Sequence, residues 1–312
     1  MAGYGRFWRG IGWCRQGATT GGFMSRCFDA GLPAGKLDRV PFTFRHHLLD
    51  HPALTMEGLA KSLPELHPDR IAYSKGLSDL SINFDRAHLE HGNGLSLRET
   101  IETIRTSNSY IAVRDPIDHP VFRDLYESLR SEMTGMQRRS GNSQAIHEPR
   151  MWLFIASPNA MTPFHFDRYS NVLMQIRGSK EVAVFPNFRP DIVPVDICEA
   201  YMDREQVQAP WRHDLDEHAI KFDFQPGDAL HIPYTAGHYV RNGADDVSIS
   251  LSFFFQTDET LRWTRAMQFN HRVRKRVQRL GMTLSPVGHN HYVDRAKARA
   301  LPLLSMMWKL AG

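Results

Sequence analysis

The chain has 312 residues, of which 42% are hydrophobic and 23% are charged, and such a composition is ordinary for a soluble globular protein with one large core. The three cysteines form no disulfide framework and no CxxC metal knuckle, and no apolar run approaches the roughly 18 residues that a membrane helix needs. We therefore expect a protein of the reducing cytoplasm, without a membrane partner.

The first segment, residues 1–35, is rich in Gly and Arg and has one acid, Asp29. Such a composition offers little apolar surface to offset the entropy lost on ordering. We predict a disordered or flexible extension, with the folded chain starting downstream and a start codon near Met24 as one interpretation. A transit peptide is the less favoured alternative.

The next part, residues 36–149, mixes helices with one strand. Ser96 to Glu99 fits a capping box, which predicts a helix start. Apolar spacing predicts three helices, over Met56–Leu63, from Ser96 onward and over Val121–Met133. It also predicts a strand over Ser109–Val113, and the polar residues 134–148 are expected to form a loop.

From about residue 150 to 256 the sequence consists of short apolar runs separated by Gly, Pro and Asn/Asp turns. Many short strands without helices between them are typical of an antiparallel barrel or sandwich. Strict alternation over Val247–Phe253 predicts a strand with one buried face. The predicted strands are Met151–Ile155, Val172–Ile176, Glu181–Phe185, Ile220–Phe224, Ala229–Ile232 and Val247–Phe255.

Residues 257–312 form a basic helical region, with eleven Lys/Arg residues against three acids, although the whole chain has a formal net charge of only +4. One helix is predicted to end at Gly281, and a last helix to run from Asp294 to Leu310 with an interruption near Pro302. Four large side chains look exposed and favour a homodimer through these helices: Trp263, Met306, Met307 and Trp308.

The arginines between Arg272 and Arg279 could contact phosphates of a nucleic acid. One basic helix with an apolar stripe is more often a solvated face over a packed interface, so nucleic acid is disfavoured as a partner.

A candidate metal site begins with His165 and Asp167, which point to the same face if they lie on one strand. Imidazole and carboxylate together suit a divalent first-row metal. His238, in a Gly-Asp…Ile-Pro…Gly-His run, is the candidate third ligand. Two histidines and a carboxylate form the facial triad of non-haem Fe(II) oxygenases. His231 alternates with the inward positions and is predicted to be structural.

The segment from Thr162 to Phe255 resembles the JmjC (cupin-like) family of Fe(II)- and 2-oxoglutarate-dependent oxygenases, and is similar to the asparaginyl hydroxylase that acts on hypoxia-inducible factor. The resemblance is carried by Thr162-Pro163-x-His165-x-Asp167 and then by Asn171, Gln175-Ile176, Gly178 and Lys180. It implies a double-stranded β-helix (jelly-roll) core within a catalytic domain of residues 36–256, preceded by N-terminal α/β elements and followed by C-terminal helices.

The resemblance also implies contacts with the co-substrate. Lys180 and Thr162 would bind the distal carboxylate of 2-oxoglutarate, with Tyr110 as a further hydrogen-bonding group. Asn171 would lie near the metal-chelating end, and Ser252 stands where the asparaginyl hydroxylase has an Asn. Independently, a lysine turned into the core needs an anionic partner, and alternation turns the neighbouring Glu181 to the opposite face.

The expected activity is hydroxylation, or demethylation, of a C–H bond with Fe(II), O2 and 2-oxoglutarate, releasing succinate and CO2. A protein or peptide side chain is the first expectation for the substrate, with a small molecule as the alternative. Loops near residues 134–148 and 187–218 are expected to form the pocket walls. Two other interpretations stay open: a metal-binding cupin of different activity, and a non-catalytic JmjC-like binding module.

Overall fold

The centre of the molecule is a pair of antiparallel β-sheets. The computed structural model describes residues 26–29, 33–140 and 145–311. The described residues form these strands: β1 (Phe42–Arg45), β2 (Ile71–Lys75), β3 (Ser109–Arg114), β4 (His147–Ala156), β5 (Met161–His165), β6 (Ser170–Arg177), β7 (Lys180–Val184), β8 (Ile220–Phe224), β9 (Asp228–Ile232), β10 (His238–Asn242) and β11 (Ser248–Gln256).

The larger sheet has the order β1-β9-β6-β11-β4-β3-β2, and the smaller sheet has the order β5-β10-β7-β8. All neighbouring strands are antiparallel. From β4 to β11 the chain passes back and forth between the sheets, and each sheet receives four of these eight strands. The predicted double-stranded β-helix is therefore confirmed, with β1, β2 and β3 extending the larger sheet.

Helices flank the two sheets. They are α1 (Met56–Ser62), α2 (Ala87–Glu90), α3 (Leu97–Thr103), α4 (Pro120–Ser140), α5 (Val195–Met202), α6 (Asp258–Arg279) and α7 (His291–Ala311). Capping boxes start two of them, with Ser96 before α3 and Thr257 before α6. Among the described helices, none is long and apolar enough to cross a bilayer.

Three apolar layers hold these elements together. Alternate residues of β11, such as Leu251 and Phe253, pack with Phe122 and Leu129 of α4 on the outer face of the larger sheet. A second layer joins the outer face of the smaller sheet to α5 and α6, and a third lies between the sheets. Each fully buried side chain of this size stabilises the fold by about 1.5–3 kcal/mol.

The last strand differs from its prediction. Every residue of β11 is buried, so both of its faces are covered instead of one. Its odd-numbered apolar residues, such as Leu251 and Phe253, pack beneath α4, whereas Ser248, Ser250 and Ser252 turn toward the space between the sheets. The serine row therefore lines an interior cavity instead of meeting bulk solvent.

Several predicted boundaries were wrong. Helix α4 continues to Ser140, and β4 already begins at His147, so the predicted loop over 134–148 is much shorter, with residues 141–144 outside the described part. Helix α7 begins at His291 and runs through Pro302 without an interruption. Trp263 is 6% exposed and packs against Phe188 and Tyr234, so it does not offer an exposed surface.

The predicted N-terminal extension of residues 1–35 was also too long, as its described residues 26–29 show. Cys27 and Phe28 are buried in the core beneath the larger sheet, and Phe28 forms a β-bridge with His46. Residues 26–29 therefore belong to the folded domain, whereas residues 1–25 and 30–32 lie outside the described residues.

Candidate metal centre

Two neighbouring strands of the smaller sheet bring the candidate ligands together. His165 ends β5, His238 begins β10, and the two residues are partners in the antiparallel register, with ring centroids 4.2 Å apart. Asp167 lies just beyond β5, in the connection to β6, and not on the strand itself. Its Oδ2 is 3.6 Å from His238 Nε2, and one ligand atom from each of the three residues lies within 4.8 Å of the others.

Both imidazoles are held with one nitrogen free to coordinate. Nδ1 of His165 lies 2.8 Å from the carbonyl oxygen of Pro163, and Nδ1 of His238 lies 3.0 Å from that of Ala236. A carbonyl can only accept, so each Nδ1 carries the proton and donates it. The lone pair of each ring is then on Nε2, and carbonyl partners of this kind commonly orient metal-ligating histidines.

The electrostatics of the site favour a bound cation. Burial raises the pKa of Asp167 to about 6, although nearby His165 acts in the opposite direction. Burial and His165 hold the pKa of His238 well below its usual value, so this ring is neutral at pH 7. Asp167 Oδ2 is buried without a hydrogen-bond partner among the described residues. A buried carboxylate oxygen without a hydrogen-bond partner, beside two imidazoles whose Nε2 atoms face it, therefore fits a divalent metal ion.

The three residues lie on the wall of a cavity between the two sheets that is partly open to solvent. The structure places all eight residues singled out from the sequence on this wall: Tyr110, Thr162, His165, Asp167, Asn171, Lys180, His238 and Ser252. Apolar side chains, including Phe154, Leu173 and Ile232, complete it.

Lys180 points into the cavity and is 8% exposed. Burial lowers the pKa of its ammonium group to about 7. Its Nζ donates to the hydroxyl of Ser250 on the larger sheet, which donates in turn to Oε1 of Gln175 at 3.0 Å. Among the residues that line the cavity, Asp167 is the only acid, and it belongs to the candidate metal ligands. The ammonium therefore lacks a counter-charge of its own.

Gln175 fixes this chain of hydrogen bonds. Its amide nitrogen donates to the carbonyl oxygens of Arg177 and Gly178 at 2.6 and 3.0 Å, and to Ser248 Oγ at 3.2 Å. The two N–H groups are shared among these acceptors, and Oε1 faces Ser250. The head group of Lys180, a residue of the smaller sheet, is thus positioned by side chains of the larger sheet.

The other polar residues of the cavity differ in how well they are satisfied. The hydroxyl groups of Tyr110 and Thr162 hydrogen-bond each other, and burial raises the pKa of Tyr110. In contrast, Asn171 Oδ1 and Ser252 Oγ are buried without partners in the described part of the chain. Unpartnered polar atoms of this kind in a cavity commonly mark the place of a polar ligand.

Three residues of the site were not identified from the sequence in these roles. Ser250 and Gln175 hold Lys180, and Phe84 stacks against His165 with ring centroids 5.0 Å apart. The period-two serines of β11 were a usable signal for Ser250, once both faces of that strand are recognised as buried. Phe84 lies in a short 3-10 helix with no sequence signal that connects it to the site.

His231 lies outside the metal site, as predicted. It is fully buried, and its Nε2 accepts a hydrogen bond from the backbone nitrogen of Asp38 at 3.0 Å.

Of the two segments expected to form pocket walls, residues 187–218 contribute to the surroundings of the cavity and residues 134–140 do not. Residues Tyr201 and 207–209 lie beside the cavity mouth, within the predicted 187–218 segment. Residues 134–140 instead belong to α4, which packs on the outer face of the larger sheet.

The chain is similar to known proteins over most of this region. A family model described as a cupin-like domain matches residues 69–260, more than half of the chain. JmjC domain-containing protein F of Dictyostelium discoideum is 28% identical in a match that covers 34% of this chain and 26% of that protein. The match therefore spans only about a quarter of the length of this curated relative.

Solved structures of the Escherichia coli protein YcfD are also similar. One covers 90% of this chain and 69% of YcfD, with a TM-score of 0.50 and 15% identity. Another, described as a ribosomal oxygenase, covers 89% and 67% at a TM-score of 0.45 and 14% identity. A third, in complex with cobalt and 2-oxoglutarate, covers 86% and 64% at a TM-score of 0.43 and 15% identity. The likeness to the first of these structures, at 15% identity, concerns the fold alone.

Proposed function

The chain belongs to the cupin-like domain family, and we propose that it is a dioxygenase that uses Fe(II), O2 and 2-oxoglutarate to hydroxylate, or demethylate, a C–H bond. The observation that carries this proposal is the pairing of two features in one cavity. Two imidazoles and a carboxylate converge at one place, and the unpaired ammonium of Lys180 faces the same space. A dianionic keto acid could bind the metal at one end and the Lys180 ammonium at its other end.

The residues divide between metal and co-substrate. Nε2 of His165, Nε2 of His238 and the carboxylate of Asp167 would hold Fe(II), which leaves positions open for other ligands. With 2-oxoglutarate and O2 bound, the iron would supply C–H oxidation coupled to the conversion of 2-oxoglutarate to succinate and CO2. The protein supplies ligation, orientation and a largely apolar cavity.

Lys180 and Thr162 would bind the distal carboxylate of 2-oxoglutarate, and Tyr110 would orient the Thr162 hydroxyl. Ser252 would donate its unpartnered hydroxyl to the end of the co-substrate nearer the metal, and Asn171 would lie beside the same end. A charge-assisted hydrogen bond between ammonium and carboxylate is roughly twice as strong as a neutral one. The bound carboxylate would also satisfy the buried ammonium, which is costly without an anion.

The direct test is turnover of 2-oxoglutarate by the full chain with Fe(II) and O2, followed as succinate by mass spectrometry. We expect succinate from the wild-type protein and a loss of at least about a hundredfold in His165→Ala, because one of three metal ligands is removed. Arg98→Ala, on the exposed surface of α3, is the control. Succinate formation that is unchanged in His165→Ala would contradict the proposal.

The two other interpretations predict different results. A metal-binding cupin of different activity would bind Fe(II) but would not consume 2-oxoglutarate. A non-catalytic binding module would keep its cellular effect in the His165→Ala variant. The unpaired Lys180 argues against the first, and the convergence of three ligands argues against the second.

We propose a protein or peptide substrate, with a small molecule as the alternative. Two grooves adjoin the cavity, one lined by Ala72, Arg114 and Trp152 and the other by Tyr201 and Gln208. Phe84 lines both grooves and the cavity itself. Grooves that adjoin the cavity offer room for the polypeptide next to an oxidised side chain.

A homodimer through the C-terminal helices and a cytoplasmic location remain proposals. Tyr292, Leu303 and Met306 of α7 are exposed apolar residues that a dimer could cover, whereas the side chains of Met307 and Trp308 lie outside the described part. Light scattering that shows a monomer at micromolar concentration would refute the dimer.

Nucleic acid remains disfavoured as a partner. Arg272 and Arg274 of α6 are engaged within the chain, the first with Asp203 and the second with the buried Glu199, each at 2.6 Å. These two guanidinium groups are therefore committed to packing α6 against α5 and its C-terminal end. Binding to DNA and RNA that is strong and falls steeply with salt would contradict this view.

A further inference from the structure

Three neighbouring side chains on the inner face of the larger sheet share an unusual property. Arg114 of β3, Trp152 of β4 and Ser252 of β11 are partners in register, so they form one row across three adjacent strands. In the described part of the chain, Arg114 Nε, Trp152 Nε1 and Ser252 Oγ are all buried without a hydrogen-bond partner. Since buried donors are normally paired, this row lacks acceptors.

Arg114, at the β3 end of the row, adds a positive charge. The Arg114 guanidinium lies over the Trp152 ring, 5.3 Å from the ring centroid, and no carboxylate of the described residues forms an ion pair with it. The groove around it contains one acid, Asp85, which lies toward Tyr201 and accepts a hydrogen bond from it. His88 also lines the groove, and burial and Arg114 lower its pKa.

The row leads directly to the candidate metal centre. Ser252 lines the metal cavity, whereas Arg114 and Trp152 line the adjoining groove, and Tyr110 lines both. Adjacent strands lie about 4.8 Å apart, so the backbone of Arg114 is about 10 Å from that of Ser252. An extended peptide covers this distance in about three residues.

We propose that this row binds an extended segment of the protein substrate and that Arg114 pairs with an Asp or Glu carboxylate about three residues from the oxidised side chain. The proposal rests on the proposed function and adds a substrate class to it. A main-chain carbonyl oxygen would accept from Trp152 Nε1 along the way, and Ser252, at the inner end of the row, marks where the segment reaches the co-substrate. A guanidinium stacked on an aromatic ring presents its donor edge to a carboxylate in a fixed plane.

The test is selection from an array of random peptides by the full chain loaded with Mn(II) and 2-oxoglutarate under anaerobic conditions. We expect the wild-type protein to enrich peptides with Asp or Glu. Arg114→Gln should bind those peptides about tenfold more weakly, the loss expected for one charged hydrogen-bonding partner. Arg114→Glu should change the preference to Lys or Arg.

Arg98→Gln, which removes the same charge from an exposed position, is the matched control and should retain the acidic preference. Trp152→Phe, which keeps a ring but removes the Nε1 donor, tests the row independently of charge and should weaken binding of the same peptides. Melting temperatures of all variants establish that they are folded.

Two results would overturn the inference: no acidic enrichment by the wild-type protein, or enrichment that Arg114→Gln leaves unchanged. Calorimetry of 2-oxoglutarate binding to the Mn(II)-loaded wild-type protein tests the proposed function separately. If 2-oxoglutarate does not bind, the proposed function fails; if it binds but acidic peptides are not selected, only the inference about Arg114 fails.

Discussion

Lys180 provides a prediction in which stability and function change in opposite directions. Replacing Lys180 with Met keeps an unbranched side chain of similar length and removes the buried ammonium, whose pKa burial lowers from 10.5 to about 7. Between those two values the unfolded chain holds a proton that the folded protein has released. At pH 8 this difference costs the folded protein an upper limit of about 3 kcal/mol.

We therefore expect Lys180→Met to raise the free energy of unfolding of the metal-free protein by about 1–3 kcal/mol at pH 8, after allowance for the lost hydrogen bond to Ser250. The sign of the pH dependence follows from linkage. Because the unfolded wild-type chain binds more protons from about pH 7 to 10.5, wild-type stability rises with pH over this window. The advantage of Lys180→Met should shrink accordingly.

The assay is urea denaturation at several pH values, with calorimetry of 2-oxoglutarate binding to the Mn(II)-loaded protein alongside it. Lys180→Met should bind 2-oxoglutarate at least about a hundredfold more weakly, because the counter-charge for one carboxylate is gone. Lys61→Met, at an exposed position near the end of α1, is the control and should change neither quantity appreciably. A Lys180→Met protein that is less stable at pH 8, or that binds 2-oxoglutarate as the wild type does, would refute this reasoning.

The remaining predictions concern the surroundings of the site. Ser250→Ala, which removes the hydroxyl that holds Lys180, should weaken 2-oxoglutarate binding about tenfold by calorimetry, and wild-type affinity in this variant would show that the contact does not position the ammonium. Asp167→Ala should weaken Mn(II) binding at least about tenfold in a paramagnetic resonance titration, because the one carboxylate of the ligand set is lost; unchanged affinity would place the metal elsewhere. Gly237→Ala should destabilise the protein by about 1–3 kcal/mol in urea, since its Cβ would lie 2.8 Å from a buried ring, whereas Gly92→Ala, with nothing within 4 Å, should not.

The sequence was most informative where a local pattern and a chemical requirement coincide. The capping box at Ser96 and the end of β9 before Pro233 depend on neighbouring residues alone, and both were predicted correctly. The convergence of His165 and His238 cannot be predicted from neighbouring residues alone. It depends on the antiparallel pairing of β5 with β10, two strands that are far apart in the sequence.

Other features could not be predicted because their cause lies far away in the chain. Trp263 looked exposed on an isolated helix, but it is covered by Phe188 and Tyr234 from loops of the barrel. Pro302 was expected to interrupt its helix, yet α7 continues through it. The serines of β11 read as a solvent face until the smaller sheet is placed over them.

The central claim is that one cavity holds a divalent metal at His165, Asp167 and His238 and a keto acid against Lys180. The most direct measurement is a crystal structure of the full chain with Mn(II) and a non-reactive 2-oxoglutarate analogue. We predict metal bound to Nε2 of both histidines and to the Asp167 carboxylate, with the distal carboxylate of the analogue on Lys180 Nζ. Metal bound by other residues, or an analogue carboxylate that makes no contact with Lys180, would contradict the account.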